Sequence, residues 1–105
     1  MEFKIIWSEF AESQLDKIYR YYENNASSQI ALKLIKGIIN APNNLLKESN
    51  IGQVEELLQE RKIQYRYLVF KNYKLIYSVN KANGLIRVAD VFDTRQNPTK
   101  IKRTK

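Results

Sequence analysis

The side chains of this chain that are equipped for chemistry are cations and phenols, and they cluster. Twelve of the eighteen Lys and Arg residues lie from Arg61 onwards, where the only acids are Asp90 and Asp93, and Tyr65, Tyr67, Tyr73 and Tyr77 fall among them. Cations interleaved with rings suit a polyanion, a stacked base or an acidic protein segment. The first sixty residues instead carry nine acids against six cations, so the positive charge belongs to one half of the molecule. Other chemistries are poorly supplied. There is no Cys and no His. Thiolate chemistry and disulfides are therefore excluded, carboxylates are the only strong zinc ligands left, and neither a metal nor a cofactor is expected.

The elements that must position these groups can be read from periodicity. With 105 residues, 44% of them hydrophobic, and only three Gly, the chain has the length and composition of one globular domain with a modest core. Phe3 to Trp7 reads as a strand. Ser8 reads as the N-cap of a helix running to about Asn24, with Glu9 and Glu12 in its first turn and Ala11, Leu15, Ile18 and Tyr22 at helical spacing. Tyr19, Tyr21 and Tyr22 read as packing and rim residues of this helix. Ser27 or Ser28 can cap a second helix whose Ala31, Leu34, Ile35 and Ile38 fall on one stripe, and Pro42 ends it. From Asn43 to Glu60 the signals are mixed. Asn43-Asn44 and Asn50-Ile51-Gly52 look like turns, while Val54, Leu57 and Leu58 fit either a helical turn or a loop packing inward.

Ile63 to Phe70, Tyr73 to Asn80 and Leu85 to Asp93 are rich in aromatic and β-branched residues. Lys71-Asn72 and Asn83-Gly84 separate them, so three antiparallel strands are expected. The fold class is then α+β, in the order β-α-α-β-β-β: a helical hairpin packed on a small curved sheet with a C-terminal antiparallel meander. With a two-residue loop at Lys71-Asn72, Phe70 faces Tyr73, Leu68 faces Leu75 and Arg66 faces Tyr77. Ile86, Val88, Asp90 and Phe92 join them on the core side. A structural ion pair between Arg66 and Asp90 is expected there, because buried charges are usually paired. The opposite side collects Tyr65, Tyr67, Val69, Lys74, Ile76, Ser78, Arg87, Ala89 and Val91, with Arg95 just beyond the strand, and reads as the binding surface.

Residues 1–98 form the expected domain. Residues 99–105, in which Lys100, Lys102, Arg103 and Lys105 surround the single aliphatic Ile101, read as an exposed, partly disordered basic C-terminal tail. No stretch approaches the roughly 20 apolar residues of a membrane span, and the amino terminus lacks the apolar run of a signal peptide. A cytoplasmic protein with no membrane partner is expected.

The strand, the two helices and the meander, together with Tyr65-Arg66-Tyr67-Leu68-Val69, Asn72-Tyr73-Lys74-Leu75-Ile76-Tyr77 and Val91-Phe92-Asp93-Thr94-Arg95-Gln96-Asn97-Pro98, resemble the RelE/ParE toxin superfamily of bacterial type II toxin–antitoxin systems. The resemblance covers nearly the whole chain. It implies a small growth-inhibiting toxin of plasmid-stabilisation type, silenced by a cognate acidic antitoxin that wraps it. The charge imbalance suits such an antitoxin, which gains counter-charge and steering as well as apolar contact.

Two branches of that superfamily need different chemistry. In the RelE branch, a ribosome-dependent mRNA endonuclease, attack of a 2′-hydroxyl on phosphate needs proton transfer and cations to stabilise a pentavalent phosphorus. The resemblance places Lys74 and Arg95 at two basic positions of that site. Arg87 lies on the same expected face. Tyr65 and Tyr67 stand where RelE-type enzymes carry lysines, and the tyrosine those enzymes carry near the C-terminus has no counterpart after Tyr77. Tyr65 or Tyr67, the latter taken as the catalytic candidate, would then have to act with a phenol lowered by clustered cations from its ordinary value of about 10. The ParE branch, which inhibits DNA gyrase, needs only a binding surface, here Tyr65, Tyr67, Lys74, Arg87 and Arg95, and is favoured. A basic nucleic-acid-binding domain that merely shares the fold is the remaining alternative.

Overall fold

The computed structural model describes residues 3–49 and 52–105. The chain enters as strand β1, Lys4–Trp7, and turns at Ser8 into helix α1, Glu9–Asn25. The turn has a local cause: Ser8 is extended and its Oγ accepts the Ala11 amide at 3.0 Å, while Glu9 and Glu12 complement the positive end of the helix. Helix α2, Ser28–Asn40, repeats the device with Ser27, whose Oγ accepts the Ile30 amide at 3.1 Å. Pro42 ends α2 inside a 3₁₀ turn, Ala41–Leu45, because it brings no backbone N–H. Among the described residues no helix is long and apolar enough to cross a membrane.

The hairpin of α1 and α2 packs on a five-stranded mixed sheet in the order β1-β5-β4-β3-β2. Here β2 is Gln53–Val54, β3 is Arg66–Phe70, β4 is Tyr73–Asn80 and β5 is Leu85–Asp93. β1 runs parallel to β5, and the other pairs are antiparallel. The α+β architecture with its C-terminal meander is thus as expected, with the two-residue β2 added. The turn read at Asn50-Ile51 lies outside the described residues. Lys71 closes the β3–β4 hairpin at φ 54° and Gly84 the β4–β5 hairpin at φ 65°.

The β3–β4 register is the expected one, with Phe70 opposite Tyr73, Leu68 opposite Leu75 and Arg66 opposite Tyr77. The β4–β5 register is not. Tyr77 pairs with Val88 but Ile76 pairs with Asp90, so Ala89 is an extra residue in the ladder. Because side chains alternate, this bulge exchanges the faces of every residue that follows it. Val91, expected on the open side, packs with Ile38, Tyr73 and Leu75 beneath the helices. Phe92, expected there, instead packs with Tyr65, Ile76 and Ala89 on the reverse face. Ser8 serves the bulge directly: its amide donates to the Val88 carbonyl at 3.0 Å and its Oγ to the Ala89 carbonyl at 3.2 Å.

The reverse face is consequently a second core. Leu58 of the 3₁₀ turn Glu56–Leu58 and Ile101 of the 3₁₀ turn Pro98–Arg103 cover it, both buried. The segment expected as a disordered basic arm is therefore folded, for identifiable reasons. Asn97 caps its turn by accepting the Thr99 amide at 3.1 Å, and Pro98 occupies the first turn. Arg61 donates to the carbonyls of Lys102 at 2.6 Å and Thr104 at 2.7 Å, satisfying the far end. Ile101, the lone aliphatic of the tail, fills the remaining gap.

Candidate functional site

The central strand places Lys74 on the reverse face, at the rim of the second core. Its Nζ lies 3.0 Å from Oε1 of the buried Glu55 and 4.1 Å from the centre of the Tyr67 ring. Glu55 is fixed in turn: its Oε2 caps the following turn at the Leu57 amide, and its own amide donates to the Tyr65 carbonyl. The Tyr67 hydroxyl donates to Gln53 Oε1 at 3.0 Å. Lys74 and Tyr67 are thus brought together, with the cation already neutralised. Tyr65 is not on an open surface but inside the second core, with the Arg61 guanidinium 6.0 Å from its ring. Arg87 stands in a separate groove with Ile63 and Ser78 and donates to the Lys105 carbonyl at 3.3 Å.

The expected pair of Arg66 and Asp90 does not form, since the bulge puts the two side chains on opposite faces. Asp90 is wholly buried and is held by Arg103, from Nε to Oδ2 at 3.2 Å and from Nη2 to Oδ1 at 3.1 Å, with the Thr104 hydroxyl donating at 2.8 Å. Arg66 donates to the Gly52 carbonyl at 2.8 Å, beside Tyr77. The Tyr77 hydroxyl accepts the Gly52 amide at 3.1 Å and donates to the Ser49 carbonyl at 2.9 Å, and burial pushes its phenol up.

Arg95 lies elsewhere again, at the end of β5. Its Nε and Nη2 close on Asp93 at 2.8 to 3.2 Å, and its amide donates to the same carboxylate. Those hydrogen bonds hold the Asp93 carboxyl below the usual carboxylate range and the Arg95 guanidinium above its own. This ion pair borders a cleft of about 310 Å³ whose other wall is α1, presenting Lys17, Ile18, Tyr21 and Tyr22 at helical spacing. Tyr73 forms part of the floor, where burial and the neighbouring Tyr22 and Asp93 push its phenol up. Tyr21 and Tyr22 meet edge to face, with ring centres 5.1 Å apart.

A family model described as "ParE toxin of type II toxin-antitoxin system, parDE" matches residues 5–98. The chain belongs to the ParE toxin family. It is thus a type II toxin by family. Among solved structures it is similar to one titled "Chromosomal ParDE TA system from P. aeruginosa", with a TM-score of 0.70 and 20% identity over 87% of this chain and 95% of that one. At that identity the likeness is one of fold. None of the curated proteins matches significantly.

Several structurally decisive residues of this ParE-family chain escape a reading by pattern. Glu55 is one, although a lone carboxylate among Val54, Leu57 and Leu58 is a signal of a buried, paired acid. Arg103 and Thr104 are others, hidden by the basic composition of the tail. Lys17 carries no local signal, and the periodicity that places Tyr22 on the packed side of α1 does not say what either residue faces across the cleft, which helix packing fixes.

Proposed function

We propose that this toxin acts as a ParE-like inhibitor of DNA gyrase, binding its target without catalysis, and that a cognate acidic antitoxin silences it in the cytoplasm. The observation that carries the reading is the internal pairing of the cations that RNA cleavage would need. Lys74 is held by Glu55 and Arg95 by Asp93. A phosphoryl transition state is stabilised by cations free to face it, together with a group that exchanges a proton near neutral pH. The sheet tyrosines with displaced phenols, Tyr73 and Tyr77, are moved upward, away from that role. Inhibition by binding has no such requirement.

The antitoxin would use the groove between α2 and β3, lined by Gly37, Ala41, Leu68, Val69 and Phe70. Its apolar walls suit a segment that folds as it binds, and its acidic residues would answer the net charge of +7.

The test is inhibition of supercoiling by purified gyrase, with expression of the chain alone followed in cells. Gyrase inhibition, DNA damage signalling and filamentation are expected. Immediate translational arrest with fragmented mRNA, abolished by combining Lys74→Ala with Arg95→Ala, would instead establish a RelE-like ribosome-dependent endonuclease acting through Lys74, Arg95 and Tyr67. Neither phenotype, with binding to nucleic acid, would leave a basic domain sharing the fold.

A further inference from the structure

The sheet face that carries Tyr65, Tyr67 and Lys74 is closed by the turns at Leu58 and Ile101, which moves the question of where a partner is gripped. We infer that the target is held in the cleft between α1 and the end of β5, where Lys17, beside the Arg95–Asp93 pair, receives a carboxylate from an acidic protein segment and Tyr21 and Tyr22 receive its apolar neighbour. This rests on the reading of the chain as a gyrase inhibitor.

Three observations converge on the cleft. Asp93 and the buried Asp90 answer Arg95 and Arg103 in its lining, which leaves Lys17 as the unbalanced charge. Lys17 makes no ion pair among the described residues. Arg95 is held by Asp93 through Nε and Nη2 and lies against Tyr22, so the pair forms a fixed polar rim beside Lys17. The rings add what an interface anchor needs. Tyr21 is 57% exposed, a large amphipathic surface held by its contact with Tyr22, and such rings supply contact area at little entropic cost.

The size and charge favour a protein over a nucleic acid. A cavity of about 310 Å³ with Ile18 and Val91 in its walls admits a carboxylate and one apolar side chain. A polyphosphate backbone is held by several unpaired cations in a row, and here Arg95 and Arg103 are already joined to Asp93 and Asp90.

The experiment compares wild type with Lys17→Glu and Tyr21→Ala, both exposed positions on α1, in gyrase supercoiling inhibition, gyrase pull-down without DNA, DNA and RNA gel retardation, and co-purification with the cognate antitoxin. Lys33→Glu on α2 is the matched charge control. Each cleft variant should need about tenfold more protein for half-inhibition, with antitoxin binding and thermal unfolding unchanged, and Lys33→Glu should inhibit as wild type does. Equal inhibition by wild type and the cleft variants would overturn the site while leaving the gyrase reading intact. Loss of antitoxin binding with inhibition retained would assign the cleft to the antitoxin. Loss of DNA or RNA binding with gyrase pull-down retained would assign it to nucleic acid, and either result overturns the inference. A wild-type protein inert towards gyrase would sink the functional reading first, and the inference with it.

Discussion

Arg103 grips Asp90 with two nitrogens at 3.1 and 3.2 Å, and so ties the last residues of the chain to the middle of β5. The carboxylate is wholly buried, whereas the guanidinium is about one-third exposed and lies against the rings of Phe10 and Phe92. With Ile101 beside them, the C-terminal segment closes the second core instead of trailing into solvent.

Removing the guanidinium should therefore be costly. Arg103→Ala leaves Asp90 buried with the Thr104 hydroxyl as its remaining side-chain donor, and the expected loss is roughly 3 kcal/mol. Urea unfolding at neutral pH measures it. A loss no larger than that of a surface pair would mean that the segment does not hold this position in solution.

Lys74 presents the same physics on the rim of that core. Lys74→Ala strands the buried Glu55 carboxylate and should destabilise by about 2 kcal/mol, while adding Glu55→Gln should restore much of the loss. A double-mutant cycle from denaturation midpoints reads the coupling, and additive effects would argue against the pair. Any toxicity lost with Lys74→Ala thus has to be compared with the folded fraction.

Gly52 is a site of close approach. A Cβ there would collide with the Tyr77 hydroxyl and meet the Tyr67 carbonyl, so Gly52→Ala must displace the hydroxyl that links Gly52 to Ser49. At Gly37 a Cβ would run into the Phe70 ring, and that ring can shift more readily. Gly52→Ala should cost more than about 1 kcal/mol, since a buried donor loses its partner. Gly37→Ala should cost less, because alanine also favours the helix. Comparable unfolding midpoints for the two variants would contradict this ordering.

Acid should weaken the pair of Asp93 and Arg95. Arg95 depresses the Asp93 carboxyl in the folded state, so the stabilisation is present above the unfolded value of about 3.9 and is lost as pH falls through the lower folded value. The effect is small, because solvent screens an exposed arginine. The difference in urea midpoint between wild type and Arg95→Ala should be visible at pH 7 and should shrink as pH falls below about 3.9. A difference that does not shrink on acidification would show that Arg95 stabilises by packing and not by charge.

The sequence alone determined the two helices, β1 and the three strands of the meander. Ser8, Ser27 and Pro42 set the bounds of the helices, and the short hairpin loop at Lys71-Asn72 fixed the β3–β4 register, because caps and turns act over a few residues and leave a local signature. The family resemblance in Tyr65 to Val69, Asn72 to Tyr77 and Val91 to Pro98 was legible because each is a short contiguous stretch. Tertiary structure alone decided which face each β5 residue occupies. The bulge at Ala89 is stabilised by Ser8, far away in sequence, and inverts the alternation that periodicity projects onward, so Asp90 found Arg103 in place of Arg66. Composition likewise marked residues 99–105 as a charged tail. Only the gap in the second core, shaped by Leu58, Tyr65, Ile76 and Phe92 together, made Ile101 a core residue.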